Sequence, residues 1–176
     1  MPLRFPVTEN DHIRGNAAAA IEVVEYGDYQ CPHCGRAHPM VKELQQCLGD
    51  KIKFVFRNFP LKKIHPQARE AAIATEAAAL QGKYWEMHDL VFEHQRRLHN
   101  SALMEYAAQL DLDLAQFSQD IADPKLDELV EDHFIGGMRS GVNATPTFFI
   151  NGEKFEQSWE DKGLLAFIKE KYGDVL

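Results

Sequence analysis

The feature that most limits how this chain can fold is a pair of cysteines placed where a strand gives way to a helix. Ile21-Glu22-Val23-Val24-Glu25-Tyr26 is a β-rich run closed by Gly27-Asp28. Cys31-Pro32-His33-Cys34 then opens a segment that reads as helical to about Leu48, with Gly49-Asp50 as its stop. A thiol at a helix N-terminus meets unpaired backbone N–H groups and the positive end of the helix dipole. Both favour the thiolate, the species that attacks disulfides. Two cysteines three apart bring their sulfurs within bonding distance, the first near the helix end and the second a turn deeper. The pattern predicts thiol–disulfide exchange, with Cys31 attacking and Cys34 resolving the mixed disulfide. His33 adds a positive charge between the sulfurs when it is protonated.

A structural zinc site is the competing use of such a pair, and it needs four ligands. The only other cysteine is Cys47, so a second pair is absent. Among the eight histidines, His88, His94 and His99 do not share a helical face, and surface or capping roles are expected for them. Neither a metal nor a cofactor is expected. Cys47 reads as a half-buried helix residue behaving as a small hydrophobe.

The chain has 176 residues, 45% of them hydrophobic, enough for one compact domain with a core and a small insertion. Acidic residues outnumber basic ones, 27 to 19, and the net charge of -8 is spread along the sequence, which argues against nucleic acid as a partner. No run approaches the length of a transmembrane helix, and the first twenty residues carry Glu9, Asp11 and Arg14 without a signal-peptide core. A cytoplasmic location without membrane contact is the expectation for the chain as written. A periplasmic or other extracytoplasmic one follows if it is a mature form.

Ile52 to Arg57 alternates as a second strand closed by Pro60, completing a βαβ unit with parallel strands, and Pro39 should kink the intervening helix. Strand signals are then sparse to about Gly141. Gln67 to Gln81 is alanine-rich, and Tyr84 to His99 carries Tyr84, Met87, Val91 and Leu98 near one face. Ser101 can cap Leu103 to Leu110, and a short helix spans Leu114 to Ile121. Leu126, Leu129, Val130, His133 and Phe134 form a helical stripe. Trp85, Phe92 and Phe134 are expected in the core. Thr147 to Ile150, Asn151-Gly152 and Glu153 to Glu156 read as a hairpin with a type I′ turn. A final helix runs from about Glu160 to Tyr172, with Ser158 and Asp161 spaced as a capping box and Leu164, Leu165, Ile168 and Tyr172 inward. The class is α/β, with the thioredoxin-like part expected at 1–62 and 143–176 and an inserted helical subdomain at 63–142. By alternation Glu22 and Glu25 face opposite sides of their strand, and only one can point inward.

Glu25-Tyr26-Gly27-Asp28-Tyr29-Gln30-Cys31-Pro32-His33-Cys34, a helical insertion, and Gly141-Val142-Asn143-Ala144-Thr145-Pro146-Thr147-Phe148 before a hairpin and last helix closely resemble the DsbA-like thiol-disulfide oxidoreductases of the thioredoxin superfamily. The resemblance covers the chain after residue 20. It implies a thioredoxin-like fold with an inserted helical subdomain, Cys31 as nucleophile and Cys34 as resolving cysteine. It also implies that Pro146 is a cis-proline holding substrate beside Thr145, and that Glu25 is a buried acid relaying protons. The Thr-Pro-Thr entry into a strand itself favours a cis bond over an ordinary strand-start proline. Thr145 stands where the family commonly has valine, so the direction of electron flow stays open. Protein thiols or disulfides are the implied substrates, with glutathione or a redox partner protein as the exchange partner. Two other readings are a glutathione-using kappa-type relative, which generally lacks a complete CxxC, and a chaperone or peptide-binding module on the same scaffold.

Overall fold

The computed structural model describes residues 1–176. Two seven-residue strands, β2 (Ile21–Gly27) and β3 (Ile52–Asn58), run parallel around helix α1 (Pro32–Leu48), as the βαβ pattern requires. The short strand β1 (Ile13–Gly15) adds antiparallel to the outer side of β3. Strand β4 (Thr147–Ile150) lies antiparallel on the other side of β2, with β5 (Glu153–Lys154) at the edge, giving the order β1-β3-β2-β4-β5. Between β3 and β4 come five helices, α2 (Ala68–Ala79), α3 (Tyr84–Glu93), α4 (Asn100–Gln109), α5 (Leu114–Ile121) and α6 (Pro124–Arg139), and helix α7 (Gly163–Tyr172) closes the chain.

Period-two alternation sorts the strand side chains between two cores. Ile21, Val23, Ile52, Phe54, Phe56, Phe148 and Ile150 face α1 and α3 and join the larger apolar cluster. Val24, Tyr26, Val55 and Phe149 face the other way, against Phe59 and Val142. Glu25 falls in phase with Ile21 and Val23, and its strand neighbours Phe56 and Phe148 flank it, so it is the carboxylate sent inward while Glu22 pairs with Lys53 at the surface. Helix α1 presses Cys34, Ala37, His38, Val41, Leu44 and Leu48 onto the larger core, and exposed Pro39 is carried within a continuous helix. Burying an aliphatic side chain such as Leu44 contributes about 2 kcal/mol.

Several elements differ from their sequence patterns. Strand β1 had no signal, because three residues are too few to show a period. Helix α3 ends at Glu93, and His94 to Leu98 turn away, although Leu98 is still buried. Helix α4 starts at Asn100 behind His99, without a side-chain cap from Ser101. Helix α7 starts at Gly163, so Ser158 Oγ accepts from the Glu160 N–H in the preceding turn and not from the helix. Leu129 of the expected stripe is exposed, while α6 packs through Leu126 and Val130 and, in its last turns, through Gly136 and Gly137. A Cβ on Gly137 would lie 2.7 Å from the Phe59 ring. Asn151 and Gly152 take φ values of 48° and 79°, both positive as a type I′ turn demands.

Candidate active site

Cys31 is the N-cap residue of α1, and Pro32 occupies the first helical position, where its missing N–H removes no helix bond. The three cysteines are free thiols. Cys31 lies just beneath the surface at 3% exposure, with Pro32 and His33 exposed beside it, while Cys34 is wholly enclosed. The two thiols are driven apart in acidity. A hydrogen bond from Cys34, set against the cost of burial, and aided by Thr145 and the backbone N–H groups of Cys34 and His33, brings Cys31 down to about 5 from an ordinary value of 9.0. Burial, the hydrogen bond given to Cys31 and the charge of Glu25 push Cys34 well above that ordinary value.

The Thr145–Pro146 peptide bond is cis, and this loop lies across the pair, with Cys31 Sγ 3.6 Å from the Thr145 carbonyl oxygen. The Thr145 hydroxyl is buried without a hydrogen-bond partner, which leaves it free to donate to the Cys31 thiolate. Behind the pair sits Glu25, 3% exposed, whose carboxyl is raised to about 8 by burial first and the Cys31 thiolate second. It is therefore a proton-carrying acid at neutral pH, and it is one of the groups acting on Cys34.

Two residues of the site were not singled out by sequence reasoning. Asp28 is buried and spends both carboxylate oxygens on the loop before the helix. Oδ1 accepts from the N–H groups of Gln30 (2.8 Å) and Cys31 (3.0 Å), and Oδ2 accepts from Leu61 N–H and pairs with His65 Nδ1, both at 2.8 Å. Its signal was an Asp two and three residues ahead of N–H groups entering a helix, the chemistry of an Asx turn. Gln95 donates from Nε2 to the carbonyls of Tyr29 (2.8 Å) and Cys31 (3.0 Å), and a lone glutamine in a turn carries no such signal.

The structure turns His33 away from the expected arrangement. The ring is exposed and its Nδ1 accepts from Arg36 at 2.6 Å, while the residue reaches the Cys31 sulfur through its backbone N–H. Cys47 is exposed, not half-buried, since its place on α1 faces away from the stripe that packs on the sheet. At about 1.5 Å of rise per residue it stands about 24 Å along the helix from Cys31. His88 is likewise not a surface residue. It is buried against Tyr29, whose hydroxyl lies 2.8 Å from its Nδ1. His38, His88 and Asp89 draw together, but Arg14 already takes both oxygens of Asp89, at 3.0 and 2.6 Å. Beside the far side of α1 a groove of about 570 Å³ is lined by Arg36, Met40, Glu43, Trp159 and Lys162 among others.

A dithiol on the first turn of a helix, backed by a buried acid and crossed by a proline loop, on a mixed sheet between helices, defines a DsbA-like thioredoxin fold. The chain belongs to the thioredoxin family, whose model, described as thioredoxin, matches residues 7–170. Among solved structures it is similar to a thioredoxin-like oxidoreductase from Silicibacter pomeroyi, with a TM-score of 0.83, 25% identity and 94% of each chain covered. It is also similar to the alpha-DsbA1 of Wolbachia pipientis, with a TM-score of 0.80, 28% identity, 98% of this chain and 96% of that one covered. Among curated proteins it is 42% identical over 171 residues to "Na(+)/H(+) antiporter NhaA 1" of Salinispora arenicola, covering 97% of this chain and 26% of that protein. The chain thus spans about a quarter of the length of such relatives.

Proposed function

We propose that the chain is a thiol–disulfide oxidoreductase that exchanges disulfides with protein thiols, acting as an oxidant. The observation that carries this reading is the placement of two thiols one turn apart, Cys31 at the helix N-terminus 3.6 Å from the Thr145 carbonyl and Cys34 enclosed behind it, surroundings that drive the acidity of the first down and of the second up. In the oxidising direction a substrate thiolate attacks Sγ of Cys31 in the Cys31–Cys34 disulfide. The S–S bond breaks, and Cys34 leaves and takes up a proton, for which Glu25 is the adjacent acid. A second substrate thiolate then attacks the substrate sulfur of the mixed disulfide and expels Cys31. The low pKa of Cys31 makes it a good leaving group and stabilises the reduced pair, so the disulfide is readily reduced. The Thr145–Pro146 loop, at the same sulfur, is the surface against which the substrate chain rests.

Such an oxidant works where thiols are not held reduced, outside a reducing cytoplasm. Its reoxidation falls to a redox partner or oxidised glutathione. Ion transport is not part of this reading. No helix of the chain is long and apolar enough to cross a membrane, and the proposal covers only the stretch shared with the antiporter-named relatives. The test is incubation of the disulfide form with a peptide carrying two thiols. Wild type should close the peptide's disulfide; Cys34→Ser, offered the same peptide already in its disulfide form, should be trapped as a mixed disulfide when the Cys31 thiolate attacks it and releases one peptide thiol, and Cys31→Ser should do neither. Equal turnover by wild type and Cys31→Ser would end the proposal.

A further inference from the structure

Gln95 comes from the turn after α3, far in sequence from the cysteines, yet its carboxamide reaches the backbone that delivers Cys31 to the helix. Its Nε2 donates to the Tyr29 carbonyl at 2.8 Å and the Cys31 carbonyl at 3.0 Å. The turn is held on both sides. Leu98 is fully buried, the Tyr106 hydroxyl donates to the Arg97 carbonyl at 2.7 Å, and the Arg97 N–H closes the turn onto the His94 carbonyl at 2.8 Å. On the other side of the contact Gly35 gives the room. A Cβ there would overlap Gln95 Oε1, and no other residue type could occupy the position with the carboxamide in place.

We propose that Gln95 is a positioning residue for the active-site thiol, clamping the Cys31 and Tyr29 carbonyls so that the first turn of α1 presents its N–H groups to the Cys31 sulfur. The Cys31 carbonyl also accepts the Gly35 N–H at 3.0 Å, so Gln95 and the first helix bond grip the same peptide unit from two directions. The N–H groups of His33 and Cys34 that favour the thiolate belong to the peptides immediately after it. With the clamp released, that unit can rock and those donors lose aim. The clamp also ties the helices between β3 and β4 to the chemistry of a sulfur that lies outside them.

The inference deepens the exchange reading and rests on it for its consequence in turnover, but its primary readout is the acidity of Cys31, which does not need turnover. The experiment follows alkylation of Cys31 against pH in wild type, Gln95→Ala, Gln95→Met, Gly35→Ala and the double variant Gly35→Ala with Gln95→Ala. Methionine keeps the length and packing of glutamine but has no N–H. Gln95→Ala and Gln95→Met should both raise the midpoint, by about 0.7 unit, the equivalent of one hydrogen bond. Gly35→Ala should reproduce that shift by expelling the carboxamide, and adding it to Gln95→Ala should raise the midpoint no further. A wild-type midpoint in Gln95→Met would overturn the clamp, because packing alone would then suffice, as would additive shifts from the two single alanine changes. A Gln95-dependent acidity in a protein that oxidises no thiols would sink the exchange reading and leave the clamp standing.

Discussion

Cys31 and Cys34 lie one helical turn apart, yet the rim that holds the first and the chamber that holds the second act in opposite directions on a thiol proton. At the rim, donors converge: the Cys34 thiol, the Thr145 hydroxyl and the N–H groups at the start of α1. In the chamber, Cys34 is enclosed with Glu25 behind it and apolar strands around it, so charge is expelled and a proton is retained. One sulfur is thus prepared to leave, and the other to hold a proton until an acid or base moves it. The difference teaches that the spacing of the pair brings the sulfurs together while the surroundings assign their parts.

The comparison breaks most completely at Cys31. Cys31→Ser should abolish both peptide oxidation and mixed-disulfide formation, measured by thiol titration, with little loss of stability. Asp28→Ala comes next, as a test of the loop that holds the rim. Gln30, Leu61 and His65 lose their acceptor while the Cys31 N–H keeps only the Asp28 carbonyl, and the cost should be about 3 kcal/mol in denaturant unfolding, given the penalty for unsatisfied buried donors.

Glu25→Gln tests the chamber. Exchange at neutral pH should slow by about 100-fold, the usual contribution of a positioned acid or base. Stability gives a separate signature. The folded-state value of about 8 lies above the ordinary 4.5, so this group's contribution is fully present below pH 4.5 and is lost as pH rises through 8. Across that window wild type should lose thermal stability relative to Glu25→Gln, and parallel curves would contradict the buried acid. Thr145→Val should raise the Cys31 pKa by about 0.7 unit, one hydrogen bond's worth, in a thiolate titration. The smallest effect is expected at His33. Its ring faces Arg36, so His33→Ala should move the same titration by less than Thr145→Val does.

How much of this was legible in the sequence depended on whether a residue's part is local. The strand, the tetrapeptide and the helix follow one another in the chain, so Cys31 and Cys34 could be read from spacing, whereas alternation said only that one of Glu22 and Glu25 points inward, because both faces of the strand carry apolar residues. Pro146 stood out because Thr-Pro-Thr opens a strand. Asp28 was half legible, since it bonds N–H groups two and three residues ahead, but its second oxygen serves Leu61 and His65 across the fold. Gln95 was not legible at all. A polar residue in a turn looks solvent-facing until the fold brings it to Cys31, and the helical period was carried on to His99 because Leu98 keeps the apolar face in phase beyond the true end at Glu93. The contact of the His33 ring was not legible for the same kind of reason, because its partner, Arg36, is chosen by side-chain orientation.

The measurement closest to the central claim is an ultraviolet thiolate titration of the reduced protein in a Cys47→Ser background, so that the exposed third thiol does not contribute. One thiolate should appear with a midpoint near pH 5 and the second only well above pH 9. Two thiols titrating together near pH 9 would mean that the rim and the chamber do not differ, and would contradict the account.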